Sequence, residues 1–356
     1  MEKKPGYSGG VRGKTLKDGE QQAQVFLESE KRALLERRIS ELGLSIHGTV
    51  VQQLVEKLYA ELADKGLLFK PPVYLSDEWG CPEATPLIGV PFYLADPRLI
   101  RIEEEVAVEV EGELDIMRYL RHEAGHAFNY AYRLYDRPKW KELFGAYSRP
   151  YKAHFRVDPF SRNYVRHIHG WYAQKHPDED FAETFAVWLT PGSDWSRNYE
   201  GWPVLAKLEF VDRVMHEVAD QLPEVPAPSP EDLPVDAMHE TVAEHYKSIE
   251  PALPIEDVHH FDRDLSLIFG VAGSGRDKDE KAQEFLRRYR REIVRRVAYW
   301  TGESTILVRA FIDLLIARAA ALNLTVGAPQ ADALIDLTSF AVAVIMNYRN
   351  TNDFYG

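Results

Sequence analysis

At 356 residues, with 45% hydrophobic and 28% charged residues, the chain has the composition of a soluble globular protein with room for two domains, which excludes wholesale disorder. Its net charge of -13 opposes a general binder of nucleic acid or of anionic membranes, because either partner is repelled at long range. The single cysteine, Cys81, excludes an internal disulfide framework and a Cys-rich structural zinc site, so a reducing, cytoplasmic setting is expected.

Residues 1–20 are rich in Gly and Lys with no apolar period; they read as a flexible arm without the apolar core of a secretory signal. Over 21–66 the pattern turns helical. Val25, Phe26, Leu27, Leu34, Leu35, Ile39 and Leu42 mark a first helix, Val51, Leu54, Leu58 and Leu62 a second, with a break near Gly43 to Gly48. From Pro71 to Val110 the β-like runs PPVYLSD, IGVPFYLAD and LIRIEEEVAVEV, separated by Pro and Gly, predict a small sheet.

A strong helix is expected from Gly112 to Tyr135, limited by Pro138. Another runs from Pro177 to Leu189; Asp178, Glu179 and Asp180 suit the dipole of its first turn, and Pro191-Gly192 stop it. The proline-rich run LPEVPAPSPEDLPVD reads as a linker, and the rest of the chain as almost entirely helical. Its longest apolar stretch, Ile306 to Leu322, is interrupted by Arg309, Asp313 and Arg318, so no membrane span is expected. The expected organisation is an arm over 1–20, a domain over 21–221 (helical 21–66, catalytic core 67–221), a linker over 222–236 and a helical C-terminal domain over 237–356.

The sharpest chemical signal is YLRHEAGHAFNY, Tyr119 to Tyr130. On a helix, His122 and His126 share a face with Cβ atoms about 5–6 Å apart. Both can then reach one ion at Zn–N distances of ~2.0–2.1 Å. Glu123 leaves the helix at a different angle and can meet a metal-bound water as a general base. Ala124, Gly125 and Ala127 are small enough to let another segment approach the metal face, while Leu120, Phe128 and Ala131 supply the buried side. The plain alternative is a helix with two partly buried histidines hydrogen-bonded to their neighbours.

A third ligand separates these readings, because catalytic zinc keeps three protein ligands and one open position. In HPDEDFAETFAVWL, His176 to Leu189, the residues Phe181, Phe185 and Trp188 form an apolar stripe, and Glu179 and Glu183 share the opposite side. One carboxylate can bind the metal while the other anchors a ligand histidine through its second ring nitrogen. The spacing does not rank the two, and a solvated acidic face is the alternative.

His167 and His169 in RHIHG, if on a strand, would point to one side and offer a competing pair. No HxxxH or carboxylate at short range completes that set, so a cleft or structural role is expected. HEVAD at His216 lacks a second histidine, and HETVAEH at His239 spaces its histidines six apart, on different faces. GVAGSGRDK has Arg276-Asp277 where a phosphate loop needs Lys-Ser/Thr. RRYRREIVRR, Arg287 to Arg296, reads as a solvated face paired with acidic residues.

Together RHEAGHAF and PDEDFAETFAVWLTP resemble the zinc-binding metallopeptidases of the HExxH-plus-glutamate, gluzincin-like group, which is distantly similar to the anthrax lethal factor catalytic domain and the Mlc titration factor. The resemblance covers roughly residues 70–215. It implies Glu179 as third zinc ligand and Glu183 as the partner of a ligand histidine, with the reverse as the alternative. It also implies that Tyr172, seven residues before Glu179, donates its O–H to a developing oxyanion.

The fold so implied is α+β: a zincin-like core of small sheet plus active-site helix, an N-terminal helical segment and a mainly α-helical C-terminal domain. The activity implied is hydrolysis of peptide (amide) bonds in a peptide or protein substrate, with one Zn²⁺ per chain and a metal-bound water activated by Glu123. The alternative is a non-catalytic or gated zinc-domain protein that binds a protein partner, or self-associates, through residues 237–356.

Overall fold

The computed structural model describes residues 28–106, 110–152, 155–228, 234–249, 253–271, 280–327 and 329–355. The arm expected over 1–20 lies outside the described residues, as do 229–233 of the proline-rich run and 272–279, most of GVAGSGRDK. Within the described residues the chain is mostly helical with two small two-stranded sheets, an α+β architecture.

Two compact units are present: the chain up to Gly43 with Asp236–Ile249, and Leu44–Val235 with Glu250–Gly356. In the first, α1 (described over 28–35) leads to a 3₁₀ turn at Ile39–Glu41, and α9 (Val242–Ser248) completes the unit. The N–H groups of Ile39 and Ser40 donate to the carbonyls of Glu240 and Met238 at 3.1 and 3.0 Å. Thr241 and Glu244 cap α9 reciprocally, satisfying two donors that the helix itself cannot.

The second unit opens with α2 (Val50–Asp64), whose N-terminus is capped by Thr49 Oγ1. Val51, Leu54, Val55, Leu58 and Leu62 form its buried stripe at helical spacing. Strands β1 (Val73–Ser76) and β2 (Ile88–Pro91) pair in parallel, Val73 opposite Ile88 and Ser76 opposite Pro91.

The third β-like run is helical where it is described up to Val106, with Pro97–Val106 forming helix α3; its residues 107–109 lie outside the described residues. Leu99 and Ile102 are buried three residues apart, Pro97 occupies the start, where its missing N–H does no harm, and three successive glutamates are good helix formers. The sheet is therefore smaller than the runs suggested.

Helix α4 (Glu113–Ala131) and helix α6 (Pro177–Leu189) cross to form the centre of this unit. The crossing depends on Gly125, because a methyl group there would stand 2.7 Å from Ala182 Cα and 2.9 Å from its carbonyl oxygen. Phe128 stacks on Phe185 with centroids 5.2 Å apart, and Phe181 packs at 6.1 Å from Trp140 of α5 (Pro138–Phe144). A short helix, α7 (Trp195–Asn198), leads to α8 (Leu205–Val218), which lays Leu208, Val211 and Met215 against the same core.

The chain after Glu250 builds α10 (Asp262–Ile268), α11 (Ala282–Thr301), α12 (Thr305–Ala321) and α13 (Gln330–Thr351), with β3 (Gly270–Val271) antiparallel to β4 (Leu324–Thr325). Phe285, Val297, Phe311, Leu315, Leu337 and Ile345 share one core. Among the described helices α13 is long and apolar enough to cross a membrane, by length and composition only. Its stripe of Ala333, Leu337, Ala341 and Ile345 is buried within this helical core.

Candidate metal centre

The residues of the site come from the two helices that Gly125 brings together. Helix α4 supplies His122, Glu123 and His126, and α6 supplies Asp178, Glu179 and Glu183, all six buried. The start of α6 is fixed by His176, whose Nδ1 accepts from the Asp178 N–H at 3.1 Å while its Nε2–H donates to the Arg149 carbonyl at 2.5 Å. With the helix so anchored, its acidic first turn is not a solvated cap. Asp178 and Glu179 turn to the histidines, and Asp180 turns to the Lys207 ammonium at 2.6 Å.

The donor atoms close into a triangle. His122 Nε2 lies 3.0 Å from Glu179 Oε2, His126 Nε2 lies 3.2 Å from the same oxygen, and the two Nε2 atoms are 3.1 Å apart. On the far side of each ring a second carboxylate waits: Glu183 Oε1 is 2.8 Å from His122 Nδ1, and Asp178 Oδ2 is 3.1 Å from His126 Nδ1. Glu183 Oε2 accepts the Ile168 N–H at 2.8 Å, and Asp178 accepts from Asn129 Nδ2 and the Tyr130 hydroxyl at 2.7 and 2.6 Å. Both carboxylates are thus held from outside.

This arrangement fits a metal ion. Glu183 at His122 Nδ1 keeps the proton there and turns the Nε2 lone pair inward; Asp178 lies at ion-pair distance from His126 Nδ1, without hydrogen-bond geometry, and its charge favours the same tautomer, so the Nε2 atoms of two imidazoles and a carboxylate face one another. Three electron-pair donors at that range repel unless a proton or a cation stands between them. A tetrahedral ion with bonds of ~2.0–2.1 Å keeps its ligand atoms about 3.3 Å apart, close to the edges of this triangle.

The electrostatics say the same. Burial pulls His122 down, but Glu179 and Glu183 raise it to about 9; burial likewise opposes His126, which Asp178 and Glu179 lift well above the ordinary histidine value. Burial pushes Glu179 up, and the two histidines overcome it and hold the carboxyl below its usual range.

Glu123 stands beside the triangle without joining it. Its Oε2 is buried and has no hydrogen-bond partner among the described residues, and burial raises its pKa against the pull of both histidines. An orphan carboxylate oxygen next to a ligand triangle is where a general base for a water belongs. Cys81 Sγ donates to the Glu123 backbone carbonyl at 3.2 Å.

Tyr172 opens a 3₁₀ turn, Tyr172–Gln174, after Trp171 in the left-handed region at φ 56°. Its ring centroid is 5.6 Å from that of His122, and its hydroxyl accepts from Lys175 Nζ at 3.1 Å. Burial, then the charges of Glu179 and Glu123, hold the phenol protonated. A cavity of about 840 Å³ opens on His122, Glu123, Tyr172 and Lys175, with Tyr119 and Tyr299 among its walls.

His167 and His169 lie in a loop and not on a strand, and both rings meet Arg118. His167 Nε2–H donates to the Arg118 carbonyl at 3.0 Å, and His169 Nε2 accepts from Arg118 Nη1 at 3.2 Å with its ring 3.9 Å from that of Tyr299. Burial lowers both pKa values. The arginine helix α11 pairs Arg288 with Glu280, Arg290 with Asp313, and Arg295 and Arg296 with Glu292.

Two residues escaped the reading of the sequence. Asp178 was a dipole residue there, and the partner of His126 here; the available signal was Tyr130, four residues after His126 and so on its face, needing an acceptor. Lys175 had no signal beyond its nearness to Tyr172.

The buried centre of His122, His126 and Glu179 on crossed helices is one that could hold a metal ion. Residues 108–193, which span both motifs, match the model of the family described as "Putative zinc-binding metallo-peptidase". The match covers about a quarter of the 356 residues. The chain matches no curated protein and no solved structure.

Proposed function

We propose that the chain is a zinc-dependent peptidase or amidase with a zincin-like core, in which His122, His126 and Glu179 hold one zinc ion. The observation that carries this reading is the triangle of inward-turned donors with the unpartnered Glu123 Oε2 beside it. Bound there, zinc supplies Lewis acidity toward a carbonyl oxygen and lowers the pKa of water toward ~7.

The chain's own residues do the rest. Glu183 holds His122 in the tautomer that leaves Nε2 free, and the charge of Asp178 beside Nδ1 favours the same tautomer of His126. Glu123 takes the proton of the attacking water on Oε2 and returns it to the leaving amine; its raised pKa brings it nearer the neutral range where both transfers are efficient. Tyr172, kept protonated by its neighbours, donates its O–H to the oxyanion, a contribution of about 3 kcal/mol to the barrier.

Metal content tests the site and turnover tests the base. Zinc is expected in the wild type and lost in His126→Ala and Glu179→Ala, whereas Glu123→Gln keeps zinc and loses hydrolysis of a peptide library. Equal zinc in all four proteins would sink the site. Wild-type turnover in Glu123→Gln would remove the role given to that residue.

A further inference from the structure

The cavity that opens on His122, Glu123 and Tyr172 has a second polar feature, contributed by the C-terminal helices. Arg349, in the last turn of α13, lines the same cavity and is only 5% exposed. Its guanidinium lies over the Phe155 ring at 4.9 Å from the centroid. Nη2 donates to the Gly170 carbonyl at 3.0 Å, and Nη1 donates to the carbonyl of Thr301 at the end of α11. Room for the group is left by Gly170 and Gly302, both in the left-handed region at φ 77° and 67°. A methyl group at Gly170 would stand 2.6 Å from Nη1.

This is a fixed, desolvated cation that no carboxylate hydrogen-bonds among the described residues. Glu303 acts on it from a distance, but its own Oε1 accepts the Ser304 N–H at 2.9 Å. A buried guanidinium without a carboxylate is costly, and a stapling role between Gly170 and α11 uses only part of its five donors. That role gives no reason for the group to stand on the wall of the cavity that holds the reacting residues. A planar fork held rigid matches a carboxylate, which it can bind through two parallel hydrogen bonds.

We propose that Arg349 is a substrate-binding residue that pairs with a carboxylate of the peptide in this cavity, either its terminal carboxylate or an acidic side chain. The inference rests on the hydrolytic reading above and names the substrate class for that same site.

Two matched peptide pairs test it on the zinc-loaded full chain. One pair differs only in a free C-terminal carboxylate against an amide, the other only in Glu against Gln near the scissile bond. Wild-type kcat/KM is expected to favour the charged member of at least one pair by roughly 10–100-fold, the size of one charged hydrogen-bonded contact. Arg349→Gln is expected to abolish that preference, read as the ratio of kcat/KM for the charged to the neutral member within the variant, and Arg349→Lys to retain part of it. The pair that responds distinguishes a terminal carboxylate from a side chain.

The proposal is overturned if the wild type shows no preference in either pair, or if Arg349→Gln leaves the preference intact. Circular dichroism melting reports whether Arg349→Gln folds; if it does not, the wild-type preference and its reduction in Arg349→Lys decide. Should no peptide be cleaved, the hydrolytic reading falls by itself. Calorimetric titration of the acid and amide peptides into wild type and Arg349→Lys then decides the carboxylate. Tighter binding of the acid, weakened in Arg349→Lys, supports it, and equal or absent binding overturns it.

Discussion

Each histidine of the centre is addressed by two carboxylates, one at each ring nitrogen. Glu179 stands at both Nε2 atoms, while Glu183 and Asp178 stand at Nδ1 of His122 and His126. The outer pair favours a proton on Nδ1, by a hydrogen bond at His122 and by charge at His126, so it bears on the readiness of the lone pairs and not merely on the position of the rings. Asp178→Asn and Glu183→Gln are each expected to weaken zinc binding about 10–100-fold without unfolding the chain. Competition with a chromophoric chelator measures this, and unchanged affinity in both variants would show that the outer carboxylates are incidental.

At the scale of elements, the site exists because α4 and α6 approach closely enough for side chains of both to meet. At Gly125 added bulk would meet the backbone of Ala182 first, and not the end of a flexible side chain. Gly125→Ala gains intrinsic helix propensity of about 1 kcal/mol, yet it must push Ala182 away. The clash is expected to win, lowering stability by about 1–3 kcal/mol in urea unfolding and weakening zinc binding with it. A more stable Gly125→Ala protein would mean that the helices cross with slack. Phe185→Ala, which empties the buried stack on Phe128, is expected to lose about 3–5 kcal/mol in the same assay.

Helix α3 shows a limit at the same scale. LIRIEEEV satisfies an alternating pattern and a helical one, and the run alone does not choose between them. Burial of Leu99 and Ile102 on one face, after a proline start, gives the helix.

For the whole molecule, folding gathers six buried ionisable side chains around one point, a cost that the inner donors recover only with a cation or protons between them. Zinc that binds the folded chain and not the unfolded one must raise stability by mass action, by about 2.7 kcal/mol at a free concentration a hundredfold above Kd. Chelation of the purified protein is therefore expected to lower Tm, and added zinc to restore it. In His126→Ala neither treatment should move Tm. A chelator-insensitive wild type that contains zinc would instead indicate an ion too slow to leave, distinguishable by chelation during unfolding.

The sequence by itself determined what is local. The i, i+4 pair His122 and His126, Glu123 leaving the helix at a different angle, the span of α6 and the small residues Ala124, Gly125 and Ala127 that let another segment approach all follow from helical period and side-chain size. Which carboxylate meets which nitrogen was not legible. Asp178, Glu179 and Glu183 lie on one acidic helix, and only the angle at which α6 crosses α4 brings Glu179 to both Nε2 atoms and the other two to separate Nδ1 atoms. Arg349 was less legible still, because its contact with Gly170 joins residues 179 positions apart, and no spacing rule reaches across such a distance. Periodicity records which face of an element is buried; what that face meets is decided by packing, where the shapes of distant segments first come into contact.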